Sequence, residues 1–302
     1  MKHRFVSIGE CMVEMAPTGE GTFRMGFAGD TLNTAWYARK LLPADWDVSY
    51  VSCVGQDAAS DEMLAFLENA GIETAGVRRL DDRTVGLYMI QLDKGERSFA
   101  YWRSDSAARQ LASDRRRLAR ELEGAELIYF SGITLAILSD EDRQTFLQTL
   151  LEARGNGACV AFDPNLRPRL WPSDEAMCQA ISEAASYCDI VLPSFEDEAT
   201  FFGDVSPADT ARRYADAGAG TVVVKNGGED VVVLANGVVS GHAALRVAQI
   251  VDTTAAGDSF NAGFLSSWVR SKDLARAVSA GNQLASAVIA QRGALVDCLE
   301  PV

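Results

Sequence analysis

The stretch VDTTAAGDSFNAGF runs from Val251 to Phe264. A short extended piece is followed by a turn of small residues and then by a helical pattern. Phe260, Phe264, Leu265 and Trp268 recur at helical spacing, so a helix is expected to begin near Ala256 to Asp258. The first amides of such a helix lack an intrahelical partner, and the macrodipole adds partial positive charge there. Small side chains leave the amides of Ala255, Ala256, Gly257 and Asp258 open to a group approaching from outside. That is an anion hole, suited to the charge of a phosphoryl group in transfer. Asp258 then stands where an acceptor hydroxyl would lie, placed to orient it and take its proton. The helix N-terminus is expected to keep this carboxylate ionised and weakly basic, which the loose transition state of phosphoryl transfer tolerates.

Upstream of this stretch, strand and helix alternate. LIYFSG (Leu127 to Gly132), ACVAFD (Ala158 to Asp163), DIVLPS (Asp189 to Ser194) and TVVVK (Thr221 to Lys225) read as buried strands. Ser139, Ser173 and Ser206-Pro207 open the helices between them. Apolar β-branched runs alternating with amphipathic helices imply a parallel sheet covered on both faces. Ligands of such sheets sit beyond the carboxyl ends of the strands. Those ends carry DPNLRPR (Asp163 to Arg169), LPSFEDE (Leu192 to Glu198) and KNGGED (Lys225 to Asp230), which are expected to converge on one edge.

The first third differs. DTLNTAWYARKLL (Asp30 to Leu42) is an amphipathic helix with Asp30 as its expected cap, and Thr84 to Arg103 reads as two strands around a DKGE turn. Phe99, Tyr101 and Arg103 share one face by strand period, on an antiparallel flap able to cover a site.

Bulk properties exclude several classes. The chain of 302 residues has a formal net charge of -14, a poor match to nucleic acid or an anionic membrane. The six cysteines form no C-x-x-C pair and read as reduced thiols of a cytoplasmic protein. The N-terminus lacks the apolar run of a signal peptide, and the longest apolar stretch is too short to span a bilayer. With only His3 and His242, a Ser-His-Asp triad or a histidine-rich zinc site is excluded. GNGACV (Gly155 to Val160) and GAGTVV (Gly218 to Val223) follow helices and precede strands, the reverse of the dinucleotide fingerprint, and read as helix C-caps.

The string DTTAAGDSFNAGF resembles the D-T-x-G-A-G-D signature of the PfkB, or ribokinase-like, carbohydrate kinases, with Ala255 in place of the first glycine. AGDTLN is similar to the family's G-G-x-x-x-N, with Ala28 for the first glycine and with Gly29 and Asn33 kept. KNGGED resembles the nucleotide-contact segment K-x-G-x-x-G, with Asp230 for the last glycine. IGECMVEM, GLYMIQLDKGERSFAYWRSDSAAR and FDPNLRPRLW are similar to the family members that act on 2-keto-3-deoxygluconate.

The resemblance implies a three-layer α/β/α domain over residues 1–302, with a mainly parallel central sheet and a small β-strand lid from segments near 10–28 and 84–106. It implies ATP-dependent phosphorylation of the C6 hydroxyl of 2-keto-3-deoxygluconate, with Asp258 as base beside the hole at Ala255, Ala256 and Gly257. Sugar contacts are implied for Gly29, Asp30, Asn33, Tyr88, Tyr101, Arg103, Arg167 and Asp258. Arg103 and Arg167 are the candidate cations for the sugar carboxylate, which a neutral sugar would not need. ATP contacts are implied for Asn165, Lys225, Gly227, Gly228, Ala255, Ala256, Gly257 and Asn282, with Asn282 either reaching adenine or ribose or simply facing solvent. Magnesium is expected, but the family's N-x-x-E motif is altered within SFEDE: Ser194 replaces the asparagine, and Asp197 and Glu198 both stay open as the acid. A monovalent-cation role stays open for Asp252, and self-association is expected through the lid. Alternatives are a kinase for fructose or 2-keto-3-deoxygalactonate, or a sugar-acid binding protein without turnover.

Overall fold

Strands whose residues are apolar on both sides need cover on both sides, and this chain supplies it. A computed structural model of the chain describes residues 3–19, 21–93 and 96–298, with the backbone alone for residues 92, 93, 96 and 97. In order the elements are β1 (His3–Ile8), β2 (Met12–Gly19), β3 (Thr22–Ala28), α1 (Asp30–Leu41), β4 (Trp46–Val54), α2 (Ala58–Asn69), β5 (Val77–Arg79), β6 (Gly86–Asp93) and β7 (Glu96–Trp102). Then follow α3 (Arg115–Leu122), β8 (Leu127–Ser131), α4 (Gly132–Ile137), α5 (Asp140–Gly155), β9 (Cys159–Asp163), α6 (Asp174–Ala185), β10 (Ile190–Val191), α7 (Phe195–Phe202) and α8 (Pro207–Asp216). The chain ends with β11 (Thr221–Val224), β12 (Val231–Ala235), β13 (Val238–His242), α9 (Ala256–Ser271) and α10 (Leu274–Ile289).

The large sheet has the order β13-β12-β11-β10-β9-β8-β1-β4-β5. Its pairs are parallel except β11 with β12 and β12 with β13. Alternation along each strand divides the core. Ile128 and Phe130 of β8, Val160 and Phe162 of β9, and Val222 and Val224 of β11 face one layer with α3, α5, α6 and α8. Leu127 and Tyr129, Ala161 and Val223 face the other, with α1, α2, α9 and α10. This is the ribokinase-like three-layer α/β/α arrangement expected from the sequence. Among the described residues no helix is long and apolar enough to cross a membrane.

Ser139, Ser173 and Ser206 each accept a backbone N–H as the N-caps of α5, α6 and α8. Asp30 differs from expectation. Gly29 occupies the cap position, and Asp30 is the first helical residue, its carboxylate accepting the N–H of Thr31 at 2.8 Å. DIVLPS pairs as a strand only at Ile190–Val191, and α7 begins four residues on, at Phe195.

A second sheet has the order β3-β2-β6-β7. It is not wholly antiparallel: two antiparallel hairpins meet through parallel pairing of β2 with β6. Lys94 and Gly95 of the DKGE turn lie outside the described residues. Arg103 falls just past the end of β7, so it leaves the face on which Phe99 and Tyr101 stack with ring centroids 6.2 Å apart.

The approach to α9 carries backbone strain. Ala255, its N-cap, has φ 59 and ψ 19, left-handed values that a β-carbon disfavours. An Ala255→Gly variant is expected to be more stable by about 0.5–1 kcal/mol, the relief of a left-handed alanine less the entropy glycine gains on unfolding. Urea unfolding checks this, and a lower midpoint in the variant would contradict it.

Candidate active site

The cleft lies where the front of α9 meets the carboxyl ends of β9 and β11. Asp258 stands in the first turn of α9. Its carboxylate accepts the Asn33 side-chain amide at 2.8 Å, and its carbonyl accepts the Thr34 hydroxyl at 3.2 Å. Both partners sit on α1, so the packing of α1 against α9 fixes the carboxylate. Burial, and then the charges of Asp30 and Asp163, push Asp258 up to about 7; Asn33 and Lys225 pull the other way. The expectation of a weakly basic carboxylate is therefore corrected. Desolvation and two neighbouring carboxylates outweigh the helix dipole, whose effect is small by comparison.

The amide hole is narrower than expected. The N–H of Ala256 is taken by the Thr253 carbonyl at 3.2 Å, a turn forced by the left-handed Ala255. The amides of Ala255, Gly257 and Asp258 have no acceptor among the described residues. Lys225 stands beside them: a β-carbon at position 257 would lie 3.5 Å from its Nζ.

The three strand-end segments do meet. Lys225 donates to Asp163 at 2.9 Å, and Arg167 lies 3.9 Å from Asp197. Ser194 forms a bridge to Lys225 along the backbone. Asn165, expected at the nucleotide, instead donates to Asp30 at 2.7 Å, from a left-handed backbone with φ 36. Gly227 has φ 56 and with Gly228 leaves open space, nothing lying within 4 Å of either added β-carbon. Asn282 donates to the Ala243 carbonyl at 3.1 Å, which ties α10 to the chain after β13.

The sugar-side residues divide. Arg103 is nearly buried and pairs with Glu10, so it is not the free cation the sequence suggested. Glu10 Oε1 and Arg103 Nε stay unpartnered and buried. Gly86 makes room for the pair, since a β-carbon there would stand 2.7 Å from Glu10 Oε1. Gly29 likewise lies against the Glu10 carbonyl, 2.2 Å from an added β-carbon. The Tyr88 hydroxyl donates to Glu14, while Tyr101 is 50% exposed with its ring 5.9 Å from that of Tyr88. Arg167 is the available cation, with its side chain 51% exposed.

The two acids left open in SFEDE also separate. Glu198 is fully buried, bound by Arg213 at 2.6 Å and by the Tyr214 hydroxyl at 2.9 Å, and burial pushes it up to about 7. It braces α7 against α8 and faces away from the cleft. Asp197 faces the cleft, and burial first raises it while Arg167 lowers it. Among the described residues no three His, Cys, Asp or Glu gather as a direct metal cage. Asp252 is structural in part: it accepts the N–H of Thr254 at 3.1 Å and of Gly293 at 3.0 Å.

Sequence reasoning missed Asp163, Asn261, Tyr129, Glu10 and Glu14. A signal existed for Asn261, three residues after Asp258 and so on the same helix face. Glu14 is the register partner of Tyr88, which no single strand reveals.

Comparison with known proteins identifies the family and the fold. The chain is 41% identical over 300 residues to the 2-dehydro-3-deoxygluconokinase of Dickeya dadantii, covering 96% of this chain and 95% of that one. It is 39% identical over 303 residues to the protein of the same name from Escherichia coli K12, covering 98% of each. Among solved structures, a PfkB protein from Polaromonas sp. JS666 matches with a TM-score of 0.85 and 26% identity over 96% of each chain. A fructokinase with bound ATP from Xylella fastidiosa shares the fold, with a TM-score of 0.84 and 23% identity over 97% of this chain and 94% of that one. The match to the pfkB family of carbohydrate kinases runs over residues 2–300, and the chain belongs to that family.

Proposed function

We propose that the protein transfers the γ-phosphoryl group of ATP to the C6 hydroxyl of 2-keto-3-deoxygluconate, giving 2-keto-3-deoxy-6-phosphogluconate and ADP. The observation that carries this reading is the juxtaposition of a half-buried Asp258 of raised proton affinity with unpartnered amides at the front of α9. The relatives at 37–41% identity that bear the name 2-dehydro-3-deoxygluconokinase support this substrate. The ATP-bound fructokinase of the same fold supports the donor.

In this mechanism Asp258 accepts the C6 hydroxyl proton as that oxygen attacks the γ-phosphorus. The bond from phosphorus to the β–γ bridging oxygen breaks, and ADP leaves. The amides of Gly257 and Asp258, with the ammonium of Lys225, meet the charge on the moving phosphoryl group. Asn33 keeps the carboxylate aimed. Arg167 receives the sugar carboxylate, while Glu10 and Arg103 anchor the small sheet that closes over the sugar.

Magnesium suits this cleft only through intervening waters. Asp197 offers a half-buried carboxylate with Arg167 at 3.9 Å as its ionic partner, and magnesium commonly keeps several waters. When bound, the ion neutralises phosphate charge.

ADP release measured with both 2-keto-3-deoxy epimers, fructose and ribose tests the substrate. The gluconate epimer is expected to give the highest kcat/KM, and preference for a neutral sugar would refute the acid-binding role of Arg167. Arg167→Ala is expected to raise KM for the sugar acid about 10- to 100-fold, with fructose little affected. Arg103→Ala is expected to lower stability as well, because it strands the buried Glu10.

Asp258 gives two pH predictions. As the base, it must be deprotonated, so kcat/KM is expected to fall tenfold per unit below about pH 7. For stability the sign is opposite to that of a salt-bridged acid. Its folded pKa lies above the unfolded value near 4, so the folded state holds the proton more tightly and loses stability as pH rises from about 4 to about 7. Asp258→Asn removes this loss. The variant is expected to be more stable than the parent at pH 8 by a few kcal/mol, with the gap closing by about pH 4, while turnover falls by orders of magnitude. Equal urea midpoints at both pH values would show that the carboxylate is not held in this way.

A further inference from the structure

Behind Lys225 stands a chain of buried polar side chains. The ammonium donates to Asp163 Oδ2 at 2.9 Å and to Asn261 Oδ1 at 3.2 Å. The Asn261 amide nitrogen donates to Asp163 Oδ2 at 2.6 Å and to the Tyr129 hydroxyl oxygen at 3.1 Å. Asp163 Oδ1 accepts the backbone N–H of Asn165 at 3.1 Å. Asn261 and Tyr129 are 0% exposed and Asp163 is 4% exposed.

A wholly buried asparagine inside a helix is costly unless its amide is satisfied. Here satisfaction also removes its freedom. The ammonium can only donate, so it must face Oδ1; the carboxylate only accepts, so it must face Nδ2. The amide therefore has one orientation. It sits one helical turn beyond Asp258 on the same face of α9, so the element that carries the base also grips the lysine. An ammonium has three donors. Two are used within this chain, and the third has no acceptor among the described residues. The space beside it is the space that Gly257 leaves empty.

We propose that Asn261, backed by Tyr129 and Asp163, is a positioning residue: it holds the Lys225 ammonium against the front of α9 so that the third N–H meets the phosphoryl group in transfer. This rests on the function proposed above and adds to it a division of labour. A lysine is long and flexible, and pinning it in advance removes the reorganisation it would otherwise need at the moment of reaction. Asp163 cancels its net charge, so bound ATP gains little from it at long range. What remains is a directional donor set for one position of the phosphoryl group. Loss of the grip therefore acts on kcat more than on KM.

A double-mutant cycle tests this, with Asn261→Ala, Asn261→Ser and Tyr129→Phe each made in the parent and in a Lys225→Ala background. Asn261→Ala is expected to lower kcat about 10- to 100-fold, with KM for the sugar changed by less than about threefold. In the Lys225→Ala background the same change is expected to cost less than about threefold more, because the residue it positions is gone. Losses that multiply in both backgrounds, or an unchanged kcat in Asn261→Ala, overturn the proposal. If Asn261→Ala does not fold by urea titration, the milder Asn261→Ser and Tyr129→Phe decide it. Their smaller losses of kcat must vanish when Lys225 is alanine, and persistence of those losses overturns the proposal. The substrate reading fails separately. If the parent phosphorylates another sugar and not 2-keto-3-deoxygluconate, the same cycle is read on that sugar.

Discussion

Three carboxylates, Asp30, Asp163 and Asp258, share one cleft with the ammonium of Lys225, and the rest of the site is arranged around that imbalance. Each acid is handled differently. Asp163 is neutralised by Lys225 and by two amide donors. Asp30 accepts the N–H of Thr31 and the side chain of Asn165. Among the described residues Asp258 has one side-chain donor, the neutral Asn33. Its proton affinity is raised, and it stands beside the open amides. The partitioning of donors, more than the count of acids, marks Asp258 as the base of the proposed reaction.

The second constraint ties the small sheet to the large one. Glu10 follows β1 by one residue, and Arg103 follows β7 at once. Their buried pairing joins two of the four points at which the chain passes between the sheets, the first and the last. Gly86 at the start of β6 is needed for room, and Gly29 packs on the Glu10 backbone before α1. Substituting one partner would strand a charge where water cannot reach it, which costs far more than a surface pair contributes. The pair therefore helps fix the small sheet, on which Tyr88, Phe99 and Tyr101 form one aromatic face.

Much of this was legible from local pattern. Serine caps at Ser139, Ser173 and Ser206 marked helix starts within a residue, because the capping bond is local. Val160 and Phe162, or Val222 and Val224, announced buried strands by composition alone. The helix at Val251–Phe264 was legible because small residues before an apolar period leave few other structures. Long-range partners were not. Nothing near Arg103 in sequence signals Glu10, 93 residues away, and the arginine looked free for that reason. Glu198 and Asp197 are adjacent and chemically alike, yet helical rotation sends one into the core and the other to the cleft. The basicity of Asp258 was misjudged because the helix dipole is visible in sequence, while the crowding of Asp30 and Asp163 is a product of the fold.

That crowding bears on why such an acid would serve the proposed reaction. Ionising Asp258 in the cleft without a ligand costs folding free energy, and the same cost makes the carboxylate a stronger proton acceptor. Stability and reactivity are thus two readings of one desolvation. The strain at Ala255 has the same character: its left-handed turn leads Ala256 to bond Thr253 and leaves the Gly257 and Asp258 amides open. A front turn relaxed so that its amides found partners would be more stable and would present no donors to an anion. The unsatisfied donors and the unfavourably placed acid lie within one turn of α9, so in the proposed reaction a bound phosphoryl group and a hydroxyl proton would relieve both together.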